Sequence, residues 1–165
     1  MPQIPLTRGQ IALVDKADYE LLCQYKWQAI PAVHGFYATA AIKMNGRWTT
    51  VQMHRLIMAA TAGQMIDHKN GNPLDNRKHN LRLCTHSQNN ANQRGKRHTR
   101  YKGVCRCGNR WKARIGWQKK VFQVGMFETE VEAAEAYNLA ARRVHGEFAR
   151  LNQLPVQRQS LLRME

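Results

Sequence analysis

Ile66-Asp67-His68-Lys69-Asn70-Gly71-Asn72-Pro73-Leu74-Asp75-Asn76-Arg77-Lys78-His79-Asn80-Leu81-Arg82-Leu83 is the run around which the rest of this chain is arranged. Continued through Cys84-Thr85-His86-Ser87-Gln88-Asn89, it offers a carboxylate, an imidazole and two amides at separated points of a short polar stretch. The apolar segment Leu81 to Leu83 around Arg82 can pair as a strand with the segment that ends at His68. The Asn-Gly, Asn-Pro and Asp-Asn steps between them are turn chemistry, because Gly71 supplies φ > 0 and Asn and Asp tolerate it. Ser87 is expected to open a short helix carrying Asn89. A strand, a loop, a strand and a helix would then bring Asp67, His68 and Asn89 together.

Taken in order, Asp67-His68, Asn80-Leu81-Arg82 and Asn89, preceded by Met53-His54-Arg55-Leu56, resemble the HNH nuclease motif of phage and intron-encoded homing endonucleases. The likeness covers roughly residues 50–93. The last position is Asn89 where the motif's name has His, a variant that the homing branch also uses. The resemblance implies a ββα-metal (His-Me finger) unit with His68 as general base, Asp67 and Asn89 as ligands of one divalent metal, and Asn80 as the residue bracing the His-bearing loop. His54 and Arg55 would support the site, His54 as either a bracing or a metal-proximal group. Read singly, Asp67, Asn70, Asp75 and Asn76 are ordinary loop residues; their order and spacing carry the argument.

The chemistry fits on its own terms. Breaking a phosphodiester needs an activated water, a charge sink for the leaving 3′ oxygen and a clamp on the phosphate. An imidazole, with an unperturbed pKa close to neutral pH, can take the water's proton. One carboxylate with an amide oxygen is a hard, under-filled ligand set that suits Mg²⁺ or Mn²⁺ and disfavours Zn²⁺.

Composition narrows the partner. Lys and Arg number 26 against 11 Asp and Glu, a formal charge of +15 over 165 residues, and the pI is near 10.3. Such a balance points to a polyanion, nucleic acid before an anionic membrane surface. No apolar run approaches the ~20 residues of a spanning helix. Met-Pro-Gln-Ile-Pro-Leu at the start lacks the features of a secretory signal, so a cytoplasmic protein is expected, in a host cell's cytoplasm if phage-encoded. Cys23, Cys84, Cys105 and Cys107 form no CxxC pair and read as reduced thiols.

Residues 1–92 read as a small sheet region supporting the nuclease motif at about 53–92. Ile11–Val14, Trp27–Ile30, Phe36–Lys43 and Trp48–Met53 are strand candidates, with Asn45-Gly46 as a hairpin turn. Asp15 to Tyr25 has helical spacing, with Asp15 or Asp18 as cap, and Met53–Ala60 is a second expected helix. Lys43 and Arg47 are candidate contacts to a DNA backbone. Residues 93–100 form a basic linker carrying Arg94, Lys96, Arg97 and Arg100. Extended, it spans on the order of 26 Å at ~3.3 Å per residue, or about eight base-pair steps. It reads as either a tether on phosphates or a solvated stretch.

Residues 101–152 follow a different logic. Tyr101–Cys107, Arg110–Trp117 and Lys120–Gly125 are expected strands. Trp111, Ala113 and Ile115 alternate with Lys112 and Arg114, and Phe122 and Val124 with Val121 and Gln123, the pattern of a half-buried sheet. Thr129-Glu130-Val131-Glu132 is a capping box, and Ala133, Tyr137, Ala140 and Val144 form the apolar stripe of the helix it opens. Tyr101-Lys102-Gly103-Val104, Trp111-Lys112-Ala113, Val124-Gly125-Met126-Phe127 and Gly146-Glu147-Phe148-Ala149-Arg150-Leu151-Asn152 resemble the AP2 DNA-binding domain, known from plant transcription factors and appended to many phage HNH endonucleases. That likeness implies a three-stranded antiparallel sheet packed on one helix, with Lys102, Cys105, Cys107, Lys112, Arg114, Val121 and Gln123 facing the major groove of DNA. Plant domains often carry Arg at the positions of Cys105, Cys107 and Val121, so their base preference does not transfer. Residues 153–165 are a docking helix or a tail.

The expected protein is thus α+β. It would be a homing-type HNH endonuclease that hydrolyses duplex DNA to 5′-phosphate and 3′-hydroxyl ends, with recognition by an AP2-type domain. It would need no obligate protein partner, acting as a monomer or weak dimer. The opposing reading is a non-catalytic AP2-type regulator with a decayed nuclease module; the presence of Asp67, His68, Asn80 and Asn89 together speaks against it. A structured-RNA binder is the third class.

Overall fold

The computed structural model describes residues 2–33, 35–44, 46–95 and 100–155. Of the positions singled out above, Asn45, Lys96, Arg97 and residues 156–165 lie outside them. The chain divides into two compact units, Met1–Gln93 and Arg94–Glu165. Each mixes helix with small antiparallel sheets.

The first unit opens with a hairpin of β1 (Gln3–Pro5) and β2 (Ile11–Leu13), paired Ile4 to Ala12. The prolines at 2 and 5 hide β1 from a local reading, and its partner strand is what makes it one. The helix α1 (Lys16–Cys23) follows, with Asp15 at the N-cap position but making no cap hydrogen bond. The strands β3 (Gln28–Ala32), β4 (Gly35–Met44) and β5 (Arg47–Gln52) form an antiparallel meander in that order. On β4, Ala38, Ala40 and Ile42 are buried while Ala41 and Lys43 are exposed, as strand alternation requires. Beneath them lie Leu22, Val14, Trp27 and Met53, each essentially removed from water. Burial of a side chain of this size contributes ~1.5–3 kcal/mol, and the Trp27 indole N–H donates to the Leu22 carbonyl at 2.8 Å.

The helix α2 (Met53–Ile57) stops short of the expected Ala60. Ala59 has left-handed backbone, φ +45. The Arg55 guanidinium donates to the carbonyls of Thr61 and Gln64, both at 2.7 Å, and so fixes the loop that leaves the helix. A two-stranded ribbon of β6 (Met65–His68) and β7 (Leu81–Cys84) comes next, with Asp67 opposite Arg82 and His68 opposite Leu81. It leads into α3 (His86–Asn92). That helix is opened by Thr85, not Ser87: Thr85 and Gln88 form a capping box in which each satisfies the other's backbone N–H.

In the second unit β8 (Val104–Cys107), β9 (Arg110–Trp117) and β10 (Lys120–Phe127) form an antiparallel sheet with β9 in the middle. The helix α4 (Glu130–His145) packs on one face, with the Thr129/Glu132 capping box at its start. Ala113 and Ile115 of the sheet meet Ala133, Ala134, Tyr137 and Ala141 of the helix. Alanine lets the two layers approach closely. Tyr101 belongs to this core but not to β8, because Gly103 turns the chain at φ +75. A β-carbon on Gly103 would run into the Tyr137 ring and the Arg114 carbonyl. Phe122 departs from expectation: it pairs with Ile115 in register, yet sits on an edge strand and is 44% exposed. After Phe148 the chain is pinned by Asn152, whose side chain bonds both the N–H and the carbonyl of Lys102. Among the described residues no helix is long and apolar enough to cross a membrane.

Candidate active site

Asp67 and His68 leave the end of β6 toward different partners. Arg82, opposite Asp67 on β7, donates Nε and Nη2 to Asp67 Oδ2 at 2.9 and 2.8 Å. Asn92 Nδ2 reaches both carboxylate oxygens, at 2.9 and 3.0 Å, and also the His68 carbonyl at 2.9 Å. A single amide N–H₂ on α3 is thereby shared over the junction between Asp67 and His68. Asn89 is expected as the co-ligand of Asp67 on one metal; the amide that hydrogen-bonds the carboxylate itself is that of Asn92. Asn89 lies three residues earlier on the helix, half-buried, and its side chain hydrogen-bonds to no described residue. Residues three apart share a helix face, so the spacing selects the face without selecting which amide touches.

The imidazole of His68 turns to a different set of neighbours. Its Nε2 lies 3.3 Å from Asn76 Oδ1, and no described residue hydrogen-bonds Nδ1. The ring of His54, on α2, meets it edge-on at a centroid distance of 5.0 Å, and Tyr37 on β4 stacks obliquely against both. Burial pulls the His68 pKa below the ordinary histidine value, against the opposing pull of the Asn76 hydrogen bond and the charges of Asp67 and Asp75. His54 is held neutral more firmly: burial first, then His68 and Arg55, lower its pKa to about 3. His54 therefore stands in the site as a packed, uncharged ring. Arg55, the other expected support, commits its guanidinium to the loop after α2 instead.

The loop from Lys69 to Asn80 is held by amides. Asn80 Oδ1 accepts from the Asn70 N–H at 3.0 Å, and its Nδ2 donates to the Asp75 carbonyl at 2.7 Å and to Asn70 Oδ1 at 3.1 Å. Its own carbonyl receives the Lys69 N–H at 2.8 Å. Arg77 grips Asp75 through two hydrogen bonds, at 2.7 and 2.6 Å, and holds that carboxyl below the usual carboxylate range. Asp75 and Asn76 are each 1% exposed. The N-terminal hairpin secures them from outside the loop. The Asn76 N–H donates to the Leu13 carbonyl at 2.8 Å, the Leu13 N–H to that of Leu74 at 2.8 Å, and Asp15 and Asp18 hold the backbone and ammonium of Lys78.

As a metal centre, the donor set is oxygen only. Asp67 Oδ2 is crowded by Arg82 and Asn92, while Oδ1 accepts from Asn92 alone. No group of three or more His, Cys, Asp or Glu residues could hold a metal ion among the described residues. One carboxylate with an uncommitted amide on α3 fits a hard ion that keeps most of its shell as water and phosphate oxygen, and does not fit a closed zinc cage.

In the second unit, register puts Lys112, Arg114, Gln123, Cys105 and Val121 on the sheet face opposite α4, with Lys112 beside Cys105 and Arg114 beside Gln123. Lys102 is not on that face. It sits half-buried in a cleft with Arg94, Arg100, Arg150 and Asn152, where burial and Arg150 lower its pKa to about 8.

A purely local reading missed Asn92, Asn76 and Arg82. Arg82 was recoverable as the residue directly across the ribbon from Asp67; Asn76 carried no local signal beyond its place in a turn.

Residues 51–91 match the HNH endonuclease family (HNH_3). Over 154 residues the chain is 28% identical to a mimivirus protein named as an uncharacterized HNH endonuclease, L560 of Acanthamoeba polyphaga mimivirus, covering 89% of this chain and 77% of that one. A 58-residue stretch, 33% of this chain, is 47% identical to APETALA2-like protein 2 of rice (Oryza sativa subsp. indica) and covers 13% of it. The segment from the helix holding His54, through the strand that ends at His68, to Asn89 thus lies within the span that matches the HNH endonuclease family, and Asn92 falls one residue beyond it.

Proposed function

We propose that this chain is a metal-dependent, homing-type HNH endonuclease that cuts duplex DNA, with its second unit acting as an AP2-type recognition module. The observation that carries the reading is His68: a buried, neutral imidazole next to Asp67 at the end of β6, beside the loop braced by Asn80, with one ring nitrogen that no described residue hydrogen-bonds. His68 takes a proton from water, and the resulting hydroxide oxygen attacks phosphorus in line. The bond from phosphorus to the 3′ oxygen breaks, leaving a 5′-phosphate and a 3′-hydroxyl whose proton comes from solvent. Asp67, through Oδ1, and Asn89, through its amide oxygen, would hold Mg²⁺ or Mn²⁺, while Asn92 and Arg82 orient Asp67. When bound, the ion stabilises the charge that grows on the departing 3′ oxygen.

The second unit supports the recognition role through chemistry of its own. Lys112, Arg114 and Gln123 share an uncovered sheet face, and a positively charged strand surface fits a DNA groove. Lys102, Arg94 and Arg100, with Lys96 and Arg97 of the linker, would add phosphate contacts. The similarity to a rice APETALA2-like protein points the same way.

The test is cleavage of supercoiled plasmid with Mg²⁺ or Mn²⁺, against chelator and against His68→Ala. Loss of a positioned general base lowers the rate by about 10²–10⁴-fold, with duplex affinity in a gel-shift assay unchanged. A His68→Ala protein that cuts at the wild-type rate removes the assignment. Tight DNA binding without cutting under any metal would point to the non-catalytic regulator.

A further inference from the structure

We propose that the outer end of the β4–β5 hairpin is a DNA-binding ribbon of the first unit. It enters the major groove of the duplex flanking the cut, with Lys43 and Arg47 against phosphates and Trp48 against base edges. Its place relative to the cut rests on the nuclease reading of the His68 site. Among the described residues, β3 pairs only with the first half of β4, from Gly35 to Thr39. From Ala40 to Met44, β4 pairs with β5 alone, so this half of the hairpin leaves the sheet as a two-stranded ribbon. Ile42 still reaches the core, but Lys43, Met44, Arg47, Trp48 and Thr49 are all exposed. Trp48 is 72% exposed and Met44 52%. A ribbon of two strands has little stability of its own, and burial in the fold accounts for neither side chain.

Charge and register identify the occupant. Between Glu20 and Asp67 the sequence carries no acidic residue, so nothing on this hairpin repels a polyanion. Lys43 is paired with Trp48, and Met44 with Arg47. Paired residues share a face of the ribbon and successive ones alternate. Each face therefore carries one cation beside one large apolar side chain. A surface made for a protein partner or a second copy gathers its apolar side chains on one side. A cation on either face instead matches a groove walled by two phosphate backbones, and the major groove is wide enough to admit a two-stranded ribbon. The direction also fits. Tyr37, on the same face of β4 as Lys43 by alternation, packs against the His68 ring. From Tyr37 to Lys43 the strand advances about 20 Å at ~3.3 Å per residue, or about six base-pair steps. The ribbon would thus hold the duplex about half a helical turn from the phosphate that His68 serves.

The experiment titrates the full-length protein, in chelator so that nothing is cut, with a mixed-sequence duplex of about three helical turns. The chain has four tryptophans, and the difference in acrylamide quenching between the wild type and Trp48→Phe isolates Trp48. The expected result is a Trp48 open to acrylamide in the protein alone and shielded in the complex. In fluorescence anisotropy of labelled duplex, Trp48→Ala should weaken binding about tenfold and Trp48→Phe less. Lys43→Ala combined with Arg47→Ala should lower the slope of log affinity against log salt by about 2. All three side chains are exposed, so these variants leave the core of the first unit intact. A Trp48 equally accessible with and without DNA, or a salt slope unchanged in the double variant, overturns the proposal. So does shielding that grows with protein concentration before any DNA is added, which would assign the ribbon to a second copy. The nuclease reading is tested separately. A protein that shields Trp48 but never cuts with Mg²⁺ or Mn²⁺ keeps the ribbon as a DNA grip and loses the nuclease; one that cuts with Trp48 left accessible loses the ribbon alone.

Discussion

Both units bury an apolar core, but they differ in the polar side chains buried beside it. Every buried polar or charged residue among those described, from Asp18 and His54 through Asp67, His68, Asp75, Asn76 and Asn80 to Asn92, lies in the first unit. The second buries alanines, valine, isoleucine and two tyrosines, and keeps its lysines and arginines at or near the surface. Chemistry at one atom needs dipoles fixed in advance inside a low-dielectric site, and satisfying them fully is what makes such a network rigid. Gripping a polyanion needs charge that water can reach and salt can screen. The contrast teaches that the first unit adds a buried hydrogen-bond network to its apolar core while the second rests on close apolar contact alone, so each should fail in its own way.

The largest effect is expected at Gly103. Alanine there must adopt left-handed backbone and push into the Tyr137 ring and the Arg114 carbonyl, a combined cost of about 4 kcal/mol. Segment-resolved hydrogen exchange should show protection lost across β8–β10 and α4 while β6–β7 is retained. Loss of protection in both would break the comparison.

Asn80→Ala should act on the other side. It removes three side-chain hydrogen bonds and strands the Asp75 carbonyl and the Asn70 N–H, costing about 3 kcal/mol. In urea denaturation the first unit's transition should move to lower denaturant while the second's stays in place.

Acid should separate the units more gently. The pKa of His54 is about 3 in the folded state against about 6.5 when unfolded, so the unfolded chain binds the extra proton between those values. Its contribution is complete above pH 6.5 and is lost as pH falls, about 2 kcal/mol by pH 5. His54→Gln should flatten that part of the pH dependence of stability. An unchanged slope would mean the ring is not held neutral.

The smallest stability effects, within about 0.5 kcal/mol, belong to Lys112→Ala and Arg114→Ala. Their signature is in binding: if each meets a phosphate, the slope of log affinity against log salt should shrink by about 1. A change in cutting rate at saturating DNA, with an unaltered salt slope, would contradict a gripping role for that face.

What could be read from the chain depended on distance along it. The Thr129/Glu132 capping box, the alanine stripe of α4 and the strand alternation of β9 are set within a few residues, and local sterics decide them. Phe122 escaped because alternation assigns a face without saying whether anything covers it at a sheet edge. The Thr85/Gln88 box was equally local and puts the N-cap of α3 two residues before Ser87. The site was legible as an ordered set of chemistries, since Asp67, His68, Asn80 and Asn89 stand at recognisable intervals.

By itself, then, the amino-acid order determined a basic α+β chain, the ribbon and helix that carry the Asp-His pair, and the capped helix behind a half-exposed sheet. Only the tertiary structure decided that Asn92 meets Asp67, that Asn76 faces the imidazole, and that Leu13, Asp15 and Asp18 fasten a loop some sixty residues away, with Lys78 bonded to Asp15 across a separation of 63. Periodicity fixes which face a residue occupies. Which of two neighbouring amides makes the bond depends on side-chain direction and on partners brought in from distant segments, and no local pattern encodes that.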